Sequence, residues 1–150
     1  METTIKDKVL QLPGVEYFGG YEGMLKYLER KGNLLFGIEG DLNLRDSNIK
    51  SLGNLTSVGG YLDLYCLKIE SLGNLTSVGG DLNLYYSKIK SLGNLTSVGG
   101  DLDLRGLNIE SLGNLTSVGG YLNLRGTPLS KKYSVAQIRQ IVNVGEGIYV

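Results

Sequence analysis

Apolar and polar residues recur along this chain with a period of 20 residues. The string SLGNLTSVGG occurs four times without a substitution, at 51–60, 71–80, 91–100 and 111–120. Each copy is followed by a variable segment of ten residues that begins with the pattern x-L-x-L. A fixed short period is typical of stacked-repeat proteins, in which each repeat forms one coil. The sequence therefore predicts a solenoid.

Six positions of each repeat are apolar in every copy or nearly every copy. In the second repeat these positions are Leu62, Leu64, Ile69, Leu72, Leu75 and Val78. The L-x-L pair has the two-residue spacing of a strand, and the later positions have the wider spacing of turns around a coil. One coil alone would not offset an ordering entropy of about 1.5 kcal/mol per residue. We therefore expect stacked coils with one continuous core and a parallel sheet formed by the L-x-L segments.

Residues 1–33 follow this pattern poorly, and we expect them to form a helical N-terminal cap. The stretches TIKDKVLQL (residues 4–12) and YEGMLKYLERKG (residues 21–32) both place apolar residues at helical spacing. Pro13 and Gly14 would end the first helix. Two short helices over the apolar end of the first coil would keep the open end of a solenoid soluble. A helix that binds a partner is the alternative.

The 20-residue repeats are predicted over 34–125, and the last segment, 126–150, is expected to form a C-terminal cap. Ser134 is a suitable N-cap, and apolar residues follow it at helical spacing. The final apolar residues repeat the spacing of the preceding coil: Val144, Ile148 and Val150. We expect a last coil that contains a helix and a final strand, so that 1–150 forms one domain.

The pattern LxLxxxxIxxLxxL resembles the leucine-rich repeat, and its apolar positions belong to the six given above. The string NLTSVGGDLDL is more similar to leucine-rich-like repeats of bacteria and phages and to the receptor L domain. This resemblance covers about Leu35 to Leu124, with Leu35 aligned to Leu55 and Ile38 aligned to Val58. It implies a right-handed parallel β-solenoid that binds a ligand or a protein on one sheet face, and it implies no catalytic residues.

One inward position departs from the leucine-rich pattern. Where an Asn ladder usually follows the strand, this chain has Ser47, Leu67, Ser87, Leu107 and Thr127. The Asn of the string GNLT is therefore expected at another corner of the coil. Identical Asn and Thr side chains about 4.8 Å apart can hydrogen-bond along a stack. An ice-binding or polymer-binding surface is a further hypothesis for this invariant side.

Paired glycines stand just before each L-x-L segment, as Gly59 and Gly60 do in the first copy. Glycine at this point permits a positive φ and a close approach between the backbones of successive coils. A phosphate-binding loop would need a following helix, and here a strand follows. The glycines are therefore interpreted as structural.

The positions that differ between coils lie mainly on the outward side of the L-x-L segments. They are rich in Tyr and Arg, which are enriched at binding hot spots because they bury a large area and also hydrogen-bond. We expect a partner-binding face made of Arg45, Tyr61, Tyr65, Tyr85, Tyr86, Arg105, Tyr121 and Arg125. The same residues also fit a purely structural ladder in which Arg stacks on Tyr. A glycan or a small ligand on this face is the alternative function.

Another column alternates in charge between successive coils: Lys50, Glu70, Lys90 and Glu110. Alternation avoids like charges in neighbouring coils, and each exposed pair contributes about 0.2–1 kcal/mol. Structure explains this column without a ligand.

The 15 basic and 15 acidic residues cancel, so no overall field would attract nucleic acid or an anionic membrane. The chain has no His and a single cysteine, Cys66. The commonest general base and metal ligand is therefore absent, and so is any intramolecular disulfide. We expect no enzymatic activity, no cofactor and no metal.

Two pairs of carboxylates lie at separations that do not forbid acid–base catalysis, because coils stack about 4.8 Å apart. These pairs are Asp63 with Asp103 and Asp81 with Asp101. Nothing distinguishes them from other aspartates in the same columns.

The sequence as a whole favours a cytoplasmic interaction module that binds a protein of unknown identity. We expect it to be a monomer or a weak homo-oligomer. The resemblance adds a phage or bacterial factor that acts on a host protein.

Overall fold

Two parallel sheets run along the protein, and from residue 36 onward each coil contributes one strand to each sheet. The structure, a computed structural model, describes residues 4–6 and 9–150. Within them the chain forms a parallel β-solenoid of about four coils at 20-residue spacing. The predicted fold is confirmed.

Sheet A contains, in spatial order, the strands β1 (Thr4–Lys6), β2 (Val9–Leu12), β3 (Phe36–Ile38), β5 (Leu55–Val58), β7 (Ser77–Val78), β9 (Ser97–Val98), β11 (Ser117–Val118) and β13 (Asn143–Val144). Sheet B contains β4 (Leu42–Asn43), β6 (Leu62–Asp63), β8 (Leu82–Asn83), β10 (Leu102–Asp103), β12 (Leu122–Asn123) and β14 (Ile148–Tyr149). The pairing is parallel throughout, apart from the antiparallel pair of β1 and β2.

Strand pairing follows the sequence repeat. In sheet B, Leu62 pairs with Leu82, and in sheet A, Val78 pairs with Val98. All six predicted inward positions of the second repeat are buried, and they belong to one apolar cluster that runs from Leu10 to Val144. Identical leucines therefore stack on one another from coil to coil.

The first predicted helix is wrong, because residues 9–12 form strand β2. Leu10 and Leu12 are buried at alternate positions and pair with Phe36 and Ile38 of β3. The N–H of Glu39 donates to the carbonyl of Leu12 at 2.8 Å, as in the later coils. The stack of sheet A therefore extends past the predicted first repeat. Residues 7–8 of the predicted helix lie outside the described residues.

The second predicted helix is confirmed as α1 (Tyr21–Arg30). Its buried face consists of Tyr21, Met24 and Leu28, and the hydroxyl of Tyr21 donates to the carbonyl of Leu52 at 2.5 Å. Burial strongly raises the pKa of the Tyr21 phenol. The helix thus packs its apolar stripe against the first coils, as expected of a cap.

The alignment of Leu35 with Leu55 is wrong by one residue. Phe36, 1% exposed, pairs with Leu55, whereas Leu35 is 41% exposed. The register shifts between Phe36 and Gly37, so that Gly37 pairs with Ser57. The first coil is one residue shorter here than the repeats, and the larger Phe ring occupies the inward position.

The last coil contains two helices, α2 (Pro128–Lys132) and α3 (Val135–Ile141). Ser134 caps α3 in a reciprocal capping box with Gln137, as its sequence position predicts. Val144 then pairs with Val118 in sheet A, and Ile148 with Leu122 in sheet B. The predicted helix and final strand are confirmed, and α2 is an addition, capped by Thr127.

The paired glycines permit a close approach between coils, as predicted, but they do not have positive φ angles. A Cβ atom on Gly79, Gly99 or Gly119 would overlap the carbonyl oxygen of the equivalent glycine in the preceding coil. The two backbones are also hydrogen-bonded at this point, since the N–H of Gly99 donates to the carbonyl of Val78 at 2.8 Å. Any residue other than glycine would therefore require the two coils to move apart.

We expect Gly99→Ala to lower the free energy of unfolding by about 2–3 kcal/mol, because the methyl group must push two hydrogen-bonded coils apart. Urea denaturation followed by circular dichroism measures the change. Ser97→Ala, in strand β9 directly before Gly99, is the control and should change stability by less than about 0.5 kcal/mol. Equal stability of the two variants would contradict the packing argument.

Candidate functional site

The outward side chains of sheet B form columns, because equivalent residues of successive coils lie side by side. Arg45, Tyr65, Tyr85 and Arg105 occupy one position in four successive coils. The Arg45 guanidinium lies 4.5 Å from the ring centre of Tyr65, and that of Arg105 lies 4.2 Å from the ring centre of Tyr85. The two Tyr rings are 5.9 Å apart. This column is one stack with a guanidinium at each end.

Tyr86 joins this stack from the next residue. Its ring stacks on that of Tyr85, with centres 4.2 Å apart and planes inclined by 28°, and lies edge-on to that of Tyr65 at 6.0 Å. We name the five residues Arg45, Tyr65, Tyr85, Tyr86 and Arg105 the Tyr–Arg cluster. Most of the Tyr86 side chain, 61% of its surface, faces solvent. The structure thus brings five of the eight predicted residues together.

Asn and Asp side chains hold the backbone under the cluster. In each coil the residue two before the Arg or Tyr accepts that residue's backbone N–H through its Oδ1, at 3.0–3.3 Å. The residues that do so are Asn43, Asp63, Asn83, Asp103 and Asn123. This is the Asx turn, which Asn and Asp form at such a corner. The sequence signal was the restriction of this column to Asn and Asp.

The turn residue that follows each stacked side chain has a left-handed backbone. Its φ is 55° at Asp46, 60° at Cys66 and 61° at Tyr86, and 72° and 75° at the glycines of the last two repeats. For residues other than Gly, this conformation costs about 1–2 kcal/mol. Tyr86, which was expected to lie on the partner-binding face, belongs to this column, and the column is a turn position suited to glycine.

A second aromatic group lies at the last coil. The rings of Tyr121 and Tyr149 stack at 5.7 Å, and the Arg125 guanidinium lies 4.5 Å from the ring centre of Tyr149. The neighbouring carboxylate of Glu146, through a hydrogen bond and its charge, raises the pKa of the Tyr121 phenol. Tyr149 was not among the predicted residues, although the repeat spacing of the last coil places it in register with Asn123.

Tyr61 is the predicted residue that joins neither group. It is 41% exposed, and its backbone N–H donates to Oδ1 of Asp41 at 2.9 Å. In the part of the chain described here, its ring has no stacked aromatic partner. The eight predicted residues therefore divide into the cluster of five, the pair Tyr121 and Arg125, and Tyr61 alone.

The two carboxylate pairs considered for catalysis are engaged in holding the backbone or a guanidinium. Asp103 binds the Arg105 guanidinium at 2.6 Å, and Asp63 lies 3.5 Å from that of Arg45. Oδ1 of Asp81 accepts the N–H of Asp101 at 2.8 Å. Among residues 9–150, no group of three or more His, Cys, Asp or Glu is placed to hold a metal ion.

The outer face of sheet A forms a groove of about 700 Å³ along the invariant side of the protein. Ser57, Ser77, Ser97 and Ser117 follow one another along its floor. At the corner before each strand, a Thr hydroxyl donates to the backbone carbonyl one coil earlier, as Thr96 does to Thr76 at 3.0 Å. The predicted ladder exists, although the Thr acceptors are carbonyls and one direct side-chain pair, Asn74 to Asn54, joins the asparagines.

We name the column of alternating charge, Lys50, Glu70, Lys90 and Glu110, the outer ridge. Within it, Lys90 and Glu70 form an ion pair at 3.1 Å. Both side chains are largely exposed, so this pair contributes little to stability.

Among the described residues, no helix is long and apolar enough to cross a membrane.

No known protein family matches this sequence, and no curated protein or solved structure matches it.

We expect Cys66→Gly to raise the free energy of unfolding by about 1 kcal/mol, because glycine adopts the left-handed turn conformation without strain. Cys66→Ala removes the same thiol but keeps the strain, and it should give no such gain. Urea denaturation of both variants at one pH measures the difference. A gain of the same size in both would assign the effect to the thiol and not to the backbone.

Proposed function

We propose that this protein is a non-enzymatic module that binds a partner protein through the outward face of sheet B, centred on the Tyr–Arg cluster. The observation that carries this proposal is Tyr86. A large aromatic residue occupies a left-handed turn position, mostly exposed, where the next two coils have Gly106 and Gly126. Stability alone favours glycine there, and backbone strain of this kind is concentrated at functional sites.

The distribution of variation along the chain supports the same face. The outer face of sheet A carries the same Ser and Gly in each copy of the invariant string, whereas the outer positions of sheet B change from coil to coil. A solenoid needs its inward residues and its coil contacts to repeat, but it does not need its outward residues to differ. Differences concentrated on one face are suited to a partner with an irregular surface.

The arrangement of the cluster favours tight contact with a protein. The rings of Tyr65, Tyr85 and Tyr86 are held against each other and against two guanidiniums. Their rotamers are thus fixed before binding, which lowers the entropy cost of immobilising them at an interface. Large, pre-organised aromatic and Arg side chains are typical of binding hot spots.

A glycan on the same face has weaker support. Sugars stack on open aromatic faces, and Arg45 and Arg105 cover the rings of Tyr65 and Tyr85. Tyr86 is the exposed ring of the cluster. The covered rings favour a protein partner over a sugar.

We further propose that the solenoid is of the leucine-rich-repeat type. The buried L-x-L pair and the later apolar positions support a leucine-rich-repeat-like solenoid. On the resemblance alone, we extend the proposal to a phage or bacterial protein that acts on a host protein in the cytoplasm. Self-association is expected to be absent or weak.

The docking face is tested by capture of proteins from a lysate of the source organism or its host. We expect the double variant Tyr65→Ser, Tyr86→Gly to lose a protein that the wild type retains, with affinity lower by roughly 30-fold or more. Both substitutions lie on the surface, and glycine suits position 86, so the fold should be kept. Circular dichroism checks this.

The control is Ser97→Arg, which places a bulky charged side chain in the groove of sheet A. We expect this variant to retain the captured protein. The reverse result, loss with Ser97→Arg and retention with the double variant, would place the site on the invariant face and overturn the proposal.

A further inference from the structure

The outward face of sheet B is acidic, although the chain as a whole has no net charge. The columns that begin at Asp41, Asn43 and Arg45, together with the turn column that begins at Asp46, contain six aspartates and three arginines, and they contain no Lys or Glu. The aspartates are Asp41, Asp46, Asp63, Asp81, Asp101 and Asp103. The columns therefore carry three more negative than positive charges, and the compensating positive charge lies elsewhere on the surface.

The positive charges of this face are largely neutralised from within. Asp103 holds the Arg105 guanidinium at 2.6 Å, and Asp63 approaches that of Arg45 to 3.5 Å. Each guanidinium also covers a Tyr ring. These arginines are poorly placed to meet an acidic partner, because each already has a carboxylate beside it.

The remaining negative charge is concentrated in one column, at Asp41, Asp81 and Asp101. All three side chains are exposed, and within the described chain no Lys or Arg nitrogen lies within 4.0 Å of them. Each uses Oδ1 to accept the backbone N–H of the next coil, at 2.8–2.9 Å. This bond fixes the carboxylate and leaves Oδ2 without a protein donor.

Tyrosines flank the adjacent carboxylates of Asp81 and Asp101 in the same column. Tyr61 lies one coil before them and Tyr121 one coil after, 41% and 40% exposed. A Lys or Arg side chain placed here would meet fixed carboxylates at its charged end and an aromatic ring beside its stem. A neutral surface would instead bury these charges without a partner, which is strongly unfavourable.

We infer that the docking face of sheet B selects a basic protein surface, with Lys or Arg side chains seated on Asp81 and Asp101 between Tyr61 and Tyr121. This inference rests on the proposed function and specifies the chemistry of its partner. The Tyr–Arg cluster supplies the aromatic contact area, and the aspartate column supplies charge selection and faster association.

Two synthetic peptides of equal length test this selection, GKYGKYGKYG and GEYGEYGEYG, both with blocked ends. We expect the lysine peptide to shift the amide resonances of residues 81, 101 and 121 in a titration up to 5 mM at low salt. The glutamate peptide should shift them at least 5-fold less, and about 0.3 M NaCl should abolish most of the difference because exposed charges are screened.

The double variant Asp81→Asn, Asp101→Asn removes the charges but keeps a side-chain oxygen for each backbone N–H, as Asn43 and Asn83 do for theirs. We expect it to bind the lysine peptide at least 5-fold more weakly than the wild type. The control Glu70→Gln, Glu110→Gln removes two charges from the outer ridge and should bind as the wild type does. Equal shifts by both peptides, or equal loss in both variants, would overturn the inference.

The two proposals fail separately. If a captured protein depends on Tyr65 and Tyr86 but binds the Asp81→Asn, Asp101→Asn variant as tightly as the wild type, the docking face stands and its basic selectivity falls. If capture does not depend on Tyr65 and Tyr86 while the lysine peptide still binds the aspartate column, the cluster is not the docking centre and the acidic column binds by itself.

Discussion

The hydrogen-bonded contact between successive coils is the constraint on which the rest of the structure depends. Each coil donates to and accepts from the coil 20 residues away, and at the paired glycines the two backbones come too close for any side chain. A coil that differed in length or in these glycines would break the ladders of both neighbours. The invariant string SLGNLTSVGG therefore contains the residues that make this contact: glycines, inward leucines and a Thr that bonds to the coil before it.

The same constraint determines which residues remain free to vary. The stack fixes inward side chains through packing, and it fixes the Asn/Asp column through the Asx turn. The side chain of the residue whose N–H closes the Asx turn has no such requirement, and neither has that of the left-handed residue that follows it. Tyr65, Tyr85 and Tyr86 occupy these positions, so that a variable surface is built on turns that follow strands of unchanging geometry.

The sequence predicts those parts of the fold that follow the 20-residue repeat. The period, the inward leucines and the last coil follow from spacing alone, and the structure confirms them. Strand β2 escaped prediction because Val9–Leu12 satisfies helical and strand spacing at once, and pairing with β3 decides between them. Sheet A was missed for a related reason: the inward residues in and beside its strands, such as Leu75 and Val78, are three positions apart, a spacing that suggested turns and not a strand. The eight site residues were identifiable as outward from the sequence. Their grouping was not, because it depends on contacts between rings and on the positive φ of Tyr86, which the residue type does not predict.

Sheet A extends beyond sheet B at the N-terminal end of the stack. At the level of β2 no strand of sheet B is present among the described residues, and beyond it β1 runs antiparallel. A second molecule that approached this end could not continue both sheets in register, because β2 already fills the place in sheet A. A stack of identical coils is in principle a template for fibre growth, since every coil resembles the next. We expect the unequal ends of the two sheets and the reversed outer strand to oppose such head-to-tail polymerisation, because an added coil would find only one of its two edges open.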